Sequence, residues 1–259
     1  MKKNASQGVF ISGGCGDIGR AVAARFVAAG ARVVLADLLP EKKGRAIAAA
    51  FGPGKAHYVA CDTTSAPAVE RAFERAIAFL GRIDAAICNA GMVANQPFLK
   101  VTEEAWERTL KVNLTGSFLV AQKAAQLMVK NSRRAQGRRG VILFTGSWVQ
   151  DMPWPEGASY TSSKGGQQML MKVIAQELAA KGITANIVAP GIVYAGLSKK
   201  IYDREPKFRK RVNTTIPLMR LCSADEVAGA FVFLAGNDGA YITGTTLLID
   251  GGASLVRRD

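Results

Sequence analysis

Buried-strand patterns alternate with helical patterns along this chain, and this alternation limits the possible fold more than any other sequence feature. Short apolar runs bounded by turn residues predict strands at Val9–Ser12, Arg32–Ala36, His57–Cys61, Ile83–Cys88, Val141–Thr145, Thr184–Val188 and Thr246–Ile249. Helical periodicity predicts helices at Ile18–Ala29, Glu41–Phe51, Ala66–Leu80, Glu103–Val129 (broken near Asn113), Ser159–Ala180 and Ala224–Ala235. The strands are continuous apolar runs, as expected when helices cover both faces of a sheet. We therefore predict an α/β fold built on a doubly wound parallel sheet.

The length of 259 residues fits one α/β domain spanning 1–259. No apolar stretch approaches the roughly 20 residues needed to cross a bilayer, so no membrane partner is expected. The polar start Met1–Gly8 leads into the short apolar run Val9–Ile11 and then into glycines, which is unlike a secretory signal. We therefore expect a cytoplasmic protein.

The turn after the first predicted strand is rich in glycine and runs from Ser12 to Gly19. Glycine lets the backbone approach a pyrophosphate closely, and the N-terminus of the next helix offers free N–H groups to an anion. Glycine-rich turns are common, but one that joins the first strand to the first helix of a βαβ unit is typical of dinucleotide binding.

Asp37 closes the second predicted strand, where a carboxylate can accept hydrogen bonds from both hydroxyls of the adenosine ribose. The same carboxylate would repel a 2′-phosphate, and the following Leu38 and Leu39 supply no compensating cation. The sequence therefore predicts NAD rather than NADP as the cofactor, although an ordinary turn aspartate would look the same.

Tyr160 and Lys164 occupy one face at the start of a long predicted helix, and Ser147 follows the fifth predicted strand. A nearby ammonium group favours the phenolate, so Lys164 is expected to lower the pKa of Tyr160 and make it a general acid and base. The chain has one histidine, His57, and four cysteines without a Cys-x-x-Cys pair. These counts argue against a histidine-based metal site and leave few alternatives as the general base.

Together these motifs resemble the short-chain dehydrogenase/reductase family over essentially the whole chain. The resemblance is carried by the glycine-rich turn, Asp37, Asp62, Cys88-Asn89-Ala90-Gly91, Asn113, Ser147, Tyr160, Lys164 and Pro190-Gly191. It implies a single-domain Rossmann-type fold with a seven-stranded sheet, an NAD-dependent oxidoreductase acting on secondary alcohols or ketones, and a homotetramer. It also implies that Asn113 orders a water in a proton relay to Lys164, and that Asn113 joins Ser147, Tyr160 and Lys164 in the catalytic set.

The resemblance and the motifs together give the expected binding residues. The expected cofactor contacts are Gly13, Gly16, Asp17, Ile18, Gly19, Asp37, Leu38, Asp62, Thr63, Asn89, Gly91, Tyr160, Lys164, Pro190, Gly191 and Val193. The expected substrate contacts are Ser147, Trp148, Gln150, Trp154, Tyr160 and Tyr194.

Two positions depart from the family pattern. Asp17 stands where the loop usually has glycine, and Ala195 stands where a threonine usually bonds a cofactor phosphate. A carboxylate beside a pyrophosphate is unfavourable unless it points away or caps the helix. Both changes predict weaker or altered NAD contacts rather than loss of binding.

A formal net charge of +14 comes largely from two segments, 130–139 and 199–211, and the second lies in the expected substrate lid at about 195–221. The charge fits a solvated surface, an anionic substrate or an acidic partner. The mixture of aromatic and polar residues near Ser147 favours a sugar, polyol or cyclic alcohol, with or without a carboxylate, phosphate or sulfonate.

Two alternatives remain open at this point. The first is a 3-oxoacyl-thioester reductase that acts on an acyl-carrier protein, for which NADPH would be expected. The second is a cofactor-binding scaffold or a nucleic-acid-binding protein, which the intact catalytic set and the lack of aromatic residues within the basic segments disfavour.

Overall fold

A computed structural model describes residues 6–255, so most of the polar N-terminal segment discussed above lies outside the described residues. Over this range the chain forms one parallel sheet of seven strands in the order β3-β2-β1-β4-β5-β6-β7. The strands are β1 (Gly8–Ser12), β2 (Arg32–Asp37), β3 (Ala56–Ala60), β4 (Ala85–Cys88), β5 (Gly140–Thr145), β6 (Ile183–Pro190) and β7 (Thr246–Ile249). The predicted doubly wound fold is thereby confirmed.

Helices cover both faces of this sheet. They are α1 (Asp17–Ala28), α2 (Glu41–Ala49), α3 (Ala66–Leu80), α4 (Glu103–Leu110), α5 (Gly116–Met128), α6 (Ala158–Leu178), α7 (Gly196–Arg204), α8 (Pro206–Thr215) and α9 (Ala224–Ala235). Phe10 points to the side of α3, α5 and α6, whereas its neighbours Val9 and Ile11 point to the side of α1 and α9. The central strands β1, β4 and β5 are therefore buried on both faces, which explains their continuous apolar sequences.

The predicted break near Asn113 is a π-helical turn at Lys111–Thr115 between α4 and α5. Single π-helical turns inside helices occur often at functional sites, because they turn one backbone or side chain out of register. Another difference lies at the fourth strand, which begins at Ala85 rather than Ile83. There the buried Asp84 carboxylate accepts from the Gly8 N–H (2.9 Å) and from Arg82 (2.8 Å), while the Asp84 backbone still bonds to Gly8 and Val141.

Two arginines of the basic segment 130–139 bind at the C-terminal ends of helices. Arg139 donates to the carbonyls of Val129 (2.9 Å) and Asn131 (2.6 Å) after α5, and Arg138 donates to the last carbonyls of α9. Helix C-termini carry unpaired carbonyls and a partial negative charge, which cations stabilise. These contacts give part of the predicted basic surface a structural role.

Within the described range, no helix is both long and apolar enough to cross a membrane. His57 lies on β3, where its ring stacks on Phe79 at 5.2 Å between centroids. Burial lowers the pKa of His57 below its ordinary value, so it carries little positive charge at neutral pH.

Candidate active site

A cleft of about 910 Å³ opens beyond the carboxyl ends of the strands. The strand order reverses between β1 and β4, and ligands of doubly wound sheets bind at this switch point. The predicted residues that line the cleft are Gly13, Gly16, Asp17, Ile18, Asp37, Leu38, Asp62, Thr63, Asn89, Gly91, Ser147, Trp148, Trp154, Tyr160, Lys164, Pro190, Gly191 and Val193. Residues from distant parts of the sequence therefore meet in one cleft of a size typical for cofactor sites.

The glycine-rich turn is packed too closely for other side chains. A Cβ atom on Gly13, whose φ is +62°, would lie 2.8 Å from the Cα of Ala90. A Cβ on Gly19 would lie 2.3 Å from the carbonyl oxygen of Gly13, so Gly19 supports the turn from below rather than lining the cleft. The N-cap of α1 is Gly16, which has no side chain to occupy the first N–H groups. This arrangement fits the pyrophosphate of a dinucleotide.

Asp37 and Asp62 lie at the same end of the cleft, with side chains held by the backbone. Asp37 accepts from the N–H of Cys15 (3.0 Å), and Asp62 accepts from the N–H and hydroxyl of Thr64 (2.9 and 2.8 Å). Each carboxylate oxygen has more than one lone pair, so both groups keep acceptor capacity towards the cleft.

The Asp17 carboxylate joins the end of the glycine-rich turn to α7, in the expected lid, instead of capping α1. It accepts from the N–H of Gly196 (2.8 Å), the first residue of α7, and from Arg20 (2.6 Å). The bond to Gly196, followed by that to Arg20, holds the pKa of Asp17 below its ordinary value, so the group is charged at neutral pH. Ala195, the second departure from the family pattern, also lines the cleft.

We expect Asp17→Ala to tighten NAD binding about fivefold, or by about 1 kcal/mol, because it removes a negative charge beside the expected pyrophosphate position. Isothermal titration of NAD measures this effect. Asp225→Ala is the matched control, since Asp225 pairs with Arg25 on the outer surface of α1. An unchanged or weaker affinity in Asp17→Ala would show that the bond to Gly196 matters more than the charge.

Tyr160 and Lys164 project from the first turns of α6 towards Ser147, which follows β5. The Lys164 Nζ lies 5.6 Å from the centre of the Tyr160 ring and donates to the carbonyl oxygen of Thr145 (2.7 Å). Lys164 is only 4% exposed, and Ser147 is 6% exposed. The three predicted groups are therefore brought together in a largely dry part of the cleft.

The pKa values of these groups differ from the sequence expectation. Desolvation raises the pKa of Tyr160 above its ordinary value, and the hydrogen bond with Ser147 acts in the opposite direction. Burial lowers the pKa of Lys164 to about 8. At Tyr160 desolvation thus outweighs the hydrogen bond with Ser147.

Asn113 lies in the π-helical turn, is 0% exposed and sits behind the cleft wall rather than lining it. Its side-chain oxygen accepts from the N–H of Met92 (2.8 Å), and its amide donates to the Met92 carbonyl and to Ser163 (3.0 Å each). Ser163 in turn donates to the carbonyl of Tyr160 (2.6 Å). Asn113 is therefore connected to the start of α6.

The part of the cleft beside Tyr160 is mainly aromatic and aliphatic. Trp148 and Trp154 line it with ring centroids 5.4 Å apart. Two of the expected substrate contacts lie outside it. Gln150 accepts from the N–H of Ser147 (3.3 Å) and donates to Thr246 (3.2 Å), and the hydroxyl of Tyr194 donates to Asp203 (2.7 Å). Their side chains are engaged by these partners, and neither residue is among the described residues that line the cleft.

Ile201 of α7 and Phe208 of α8 extend this apolar wall from the expected lid. The lid cations face outward: Lys199, Lys200, Arg204, Lys207, Lys210 and Arg211 are exposed, and none of them is among the described residues that line the cleft. The Arg211 guanidinium stacks over the Trp154 ring at 4.9 Å from its centre. The basic charge of the lid is therefore mostly a solvated surface.

Sequence reasoning missed several residues of the site. Met92, Val93 and Asn95 line the cleft from the loop after β4, and Arg108 and Lys111 line it from the segment before Asn113. Their position after a strand end was a usable signal for the first three. No sequence signal pointed to Arg108 and Lys111, because only the packing of α4 beside the cleft brings these two cations there.

Comparisons with known proteins agree with this geometry. Residues 15–254 match the family model described as enoyl-(acyl carrier protein) reductase. The chain is 33% identical over 250 residues to 3-oxoacyl-[acyl-carrier-protein] reductase MabA of Mycobacterium tuberculosis, covering 96% of this chain and 94% of that protein. It is 33% identical over 252 residues to 3beta-hydroxysteroid dehydrogenase 1 of Eggerthella lenta, covering 95% and 93%. The 3-ketoacyl-(acyl-carrier-protein) reductase of Brucella melitensis complexed with NADH superposes with a TM-score of 0.85 at 30% identity, covering 96% of this chain and 98% of that one.

Proposed function

Given that this chain belongs to the short-chain dehydrogenase/reductase family, we propose that it is an NAD-dependent dehydrogenase of cyclic secondary alcohols. The observation that carries the proposal is the placement of Ser147, Tyr160 and Lys164 beside an apolar wall containing Trp148 and Trp154. Flat aromatic surfaces suit the body of a ring, while Ser147 and Tyr160 offer directed hydrogen bonds to a single oxygen.

Each residue of the site has its own proposed role in the reaction. A bound nicotinamide would supply the hydride acceptor for oxidation of the alcohol and the hydride donor for reduction of the ketone. Ser147 holds the substrate oxygen by a hydrogen bond, and Tyr160 removes the hydroxyl proton in oxidation or donates it in reduction. Lys164 supplies the positive charge that favours phenolate and binds the nicotinamide ribose.

The segment 195–221 is proposed to act as the substrate lid of this single domain. Ile201 and Phe208 give its inner side an apolar character, which favours a ring with an apolar body over a free sugar or polyol. The cations on its outer side give no direct support to an anionic group deep in the cleft. Loops and short helices on a rigid scaffold commonly carry specificity in this way.

A second candidate is reduction of a 3-oxoacyl thioester. It is favoured by the similarity to MabA and to the reductase of Brucella melitensis, and by the exposed cations around the cleft, which would suit an acidic carrier protein. Initial rates with 3β-hydroxysteroids, cyclitols, aldoses and 3-oxoacyl thioesters, each with both cofactors, distinguish the candidates. A kcat/KM highest for the thioester would overturn the first proposal.

The preference for NAD is assigned to Asp37. We expect Asp37→Ala to reduce the NAD to NADP ratio of kcat/KM at least about tenfold, because the variant loses hydrogen bonds to the ribose and repulsion of a 2′-phosphate. Asp62→Asn is the control, since it is expected to weaken both cofactors alike. A wild-type enzyme that prefers NADP would exclude the assignment.

We also propose a homotetramer. Phe118 on α5 and Met169 on α6 are exposed apolar side chains, as are Phe233 on α9 and Leu248 on β7. Exposed apolar groups in two separate regions are typical of surfaces covered by other subunits. Light scattering coupled to size-exclusion chromatography tests this: a monomeric mass at micromolar concentration would exclude it.

A further inference from the structure

The Asp17 carboxylate attaches the start of the lid to the glycine-rich turn. It accepts from the N–H of Gly196 at 2.8 Å, although the two residues are 179 positions apart in the sequence. Asp17 is the first residue of α1 and Gly196 the first residue of α7, and both line the cleft. The bond therefore joins two walls of the cleft beside the turn that is expected to hold the pyrophosphate.

The first turn of α7 has no capping side chain of its own. Its N-cap is Ala195, whose methyl group cannot accept a hydrogen bond. The first N–H groups of a helix have no partner within the helix and carry a partial positive charge, so a carboxylate placed there is stabilising. Asp17 supplies this carboxylate from another element, and Lys199 in α7 adds a favourable charge interaction with it.

The start of α7 has few other attachments to the body of the protein. Among the described residues, the other hydrogen bonds that reach α7 from outside it come from the lid itself or from Tyr194, which directly precedes the lid. No described side chain of α7 is buried, and Tyr202 near its end is half-buried against an apolar cluster. Val212 of α8 is buried in that same cluster. The later part of the lid is therefore packed on the body, whereas the first turn of α7 depends on Asp17.

We propose that Asp17 is a latch: its carboxylate holds the first turn of α7 against the glycine-rich turn, and NAD enters or leaves the cleft when this bond breaks. The latch sets how fast the cofactor exchanges, which is separate from the effect of the Asp17 charge on affinity. Opening of lids commonly limits how fast ligands enter and leave enzymes. The inference deepens the proposed function and rests on it for the identity of the cofactor.

The strength of the Asp17 contact suits a latch. The second oxygen of the carboxylate accepts from Arg20 (2.6 Å), and the Asp17 side chain is 39% exposed. Both bonds hold the pKa of Asp17 below its ordinary value, so its charge persists over the whole neutral range. A charge-assisted hydrogen bond is about twice as strong as a neutral one. One such bond at a partly exposed site biases the lid towards closure and still allows it to open.

Hydrogen–deuterium exchange of protein prepared without NAD tests the latch directly. In Asp17→Ala the amides of residues 196–204 are expected to exchange about tenfold faster than in the wild type, while those of β1 and β4 keep their rates. Asp17→Asn keeps an oxygen that can accept from Gly196, so its exchange is expected to stay within about threefold of the wild type. Arg20→Ala is the matched control, because it removes the second partner of the carboxylate and leaves the bond to Gly196.

Stopped-flow fluorescence of NADH measures the consequence for binding. In Asp17→Ala the association rate constant is expected to rise about tenfold and the dissociation rate constant about twofold, and their ratio gives the fivefold tighter binding expected from the lost charge. Asp17→Asn loses the same charge and keeps the latch. Its affinity is therefore expected to approach that of Asp17→Ala, while its association rate stays close to that of the wild type.

Three results would overturn the latch. The first is equal exchange of 196–204 in Asp17→Ala and the wild type, and the second is an equal rise in β1 and β4, which would show a general loss of stability. The third is an association rate in Asp17→Ala that matches the wild type. The exchange experiment needs neither cofactor nor substrate. A protein that proves inactive on alcohols would reject the proposed function, and the exchange rates would still decide whether Asp17 holds the lid.

Discussion

Replacing Tyr160 by phenylalanine is expected to lower kcat by about 1000-fold or more, while the dissociation constant for NAD stays within about twofold. The ring remains in place beside the cleft, so the variant loses the hydroxyl and little packing. The lost hydroxyl is the group that exchanges a proton with the substrate oxygen. The neighbouring Lys164 is buried and donates to the carbonyl of Thr145 (2.7 Å), so it is not placed to replace the hydroxyl.

Steady-state rates and NAD titration of the Tyr160 variant measure this separation of turnover from binding. Tyr194→Phe is the matched control, because the Tyr194 hydroxyl donates to Asp203 outside the cleft and its loss should leave kcat unchanged. Retained turnover in Tyr160→Phe would reject the proposed mechanism. A parallel loss of NAD binding would show that the hydroxyl serves the cofactor and not the proton transfer.

Replacing Lys164 by methionine is expected to lower kcat/KM for the alcohol by about 100-fold or more. Methionine has similar length but carries no charge, so the phenolate of Tyr160 loses the cation that lies 5.6 Å from the ring centre. The effect is measured as a pH profile, in which the limb assigned to Tyr160 should move to higher pH. Lys172→Met, an exposed position on the same helix, serves as control.

The same Lys164 variant is expected to be more stable than the wild type at pH 7. Burial lowers the pKa of Lys164 from 10.5 to about 8, so the unfolded chain binds this proton more tightly than the folded protein does. The buried charge therefore costs on the order of 3 kcal/mol below pH 8, and this cost disappears as the pH rises from 8 to 10.5. Loss of the hydrogen bond to Thr145 offsets much of the gain.

Urea unfolding at several pH values checks this second effect. We expect the free energy of unfolding of Lys164→Met to exceed that of the wild type by about 1 kcal/mol at pH 7, with the difference shrinking above pH 8. A variant that is less stable at pH 7 would indicate that the ammonium group is better solvated than its burial suggests. A variant that is more stable but less active would indicate that the wild-type protein keeps a destabilising buried charge because the reaction needs it.

Local sequence patterns were sufficient for most of the fold. The bounds of α3, α9 and β7 agree with their predictions, because each element has clear periodicity or β-branched residues and ends at a turn. The break near Asn113 was also visible, but its π-helical form was not. That form depends on partners from α6, such as Gln167, which are distant in sequence.

The residues of the site were also predictable only in part. Ser147, Tyr160 and Lys164 lie at strand and helix ends whose position in a doubly wound sheet is set by topology, so their convergence was predictable. Gln150 and Tyr194 were assigned to the substrate because they flank those residues in sequence. Their side chains instead bond to Ser147 and Asp203, since neighbours on a loop can point to opposite sides.

The amino-acid sequence by itself indicated the reaction class, because its strand and helix patterns predict a doubly wound parallel sheet and its motifs resemble those of the short-chain dehydrogenase/reductase family. Only the tertiary structure decided how those groups are tuned and what they face. Burial sets the pKa directions of Tyr160 and Lys164, and the packing of α7 and α8 turns the lid cations outward. Desolvation and side-chain direction depend on atoms from several distant segments, and a linear pattern contains no record of their distances.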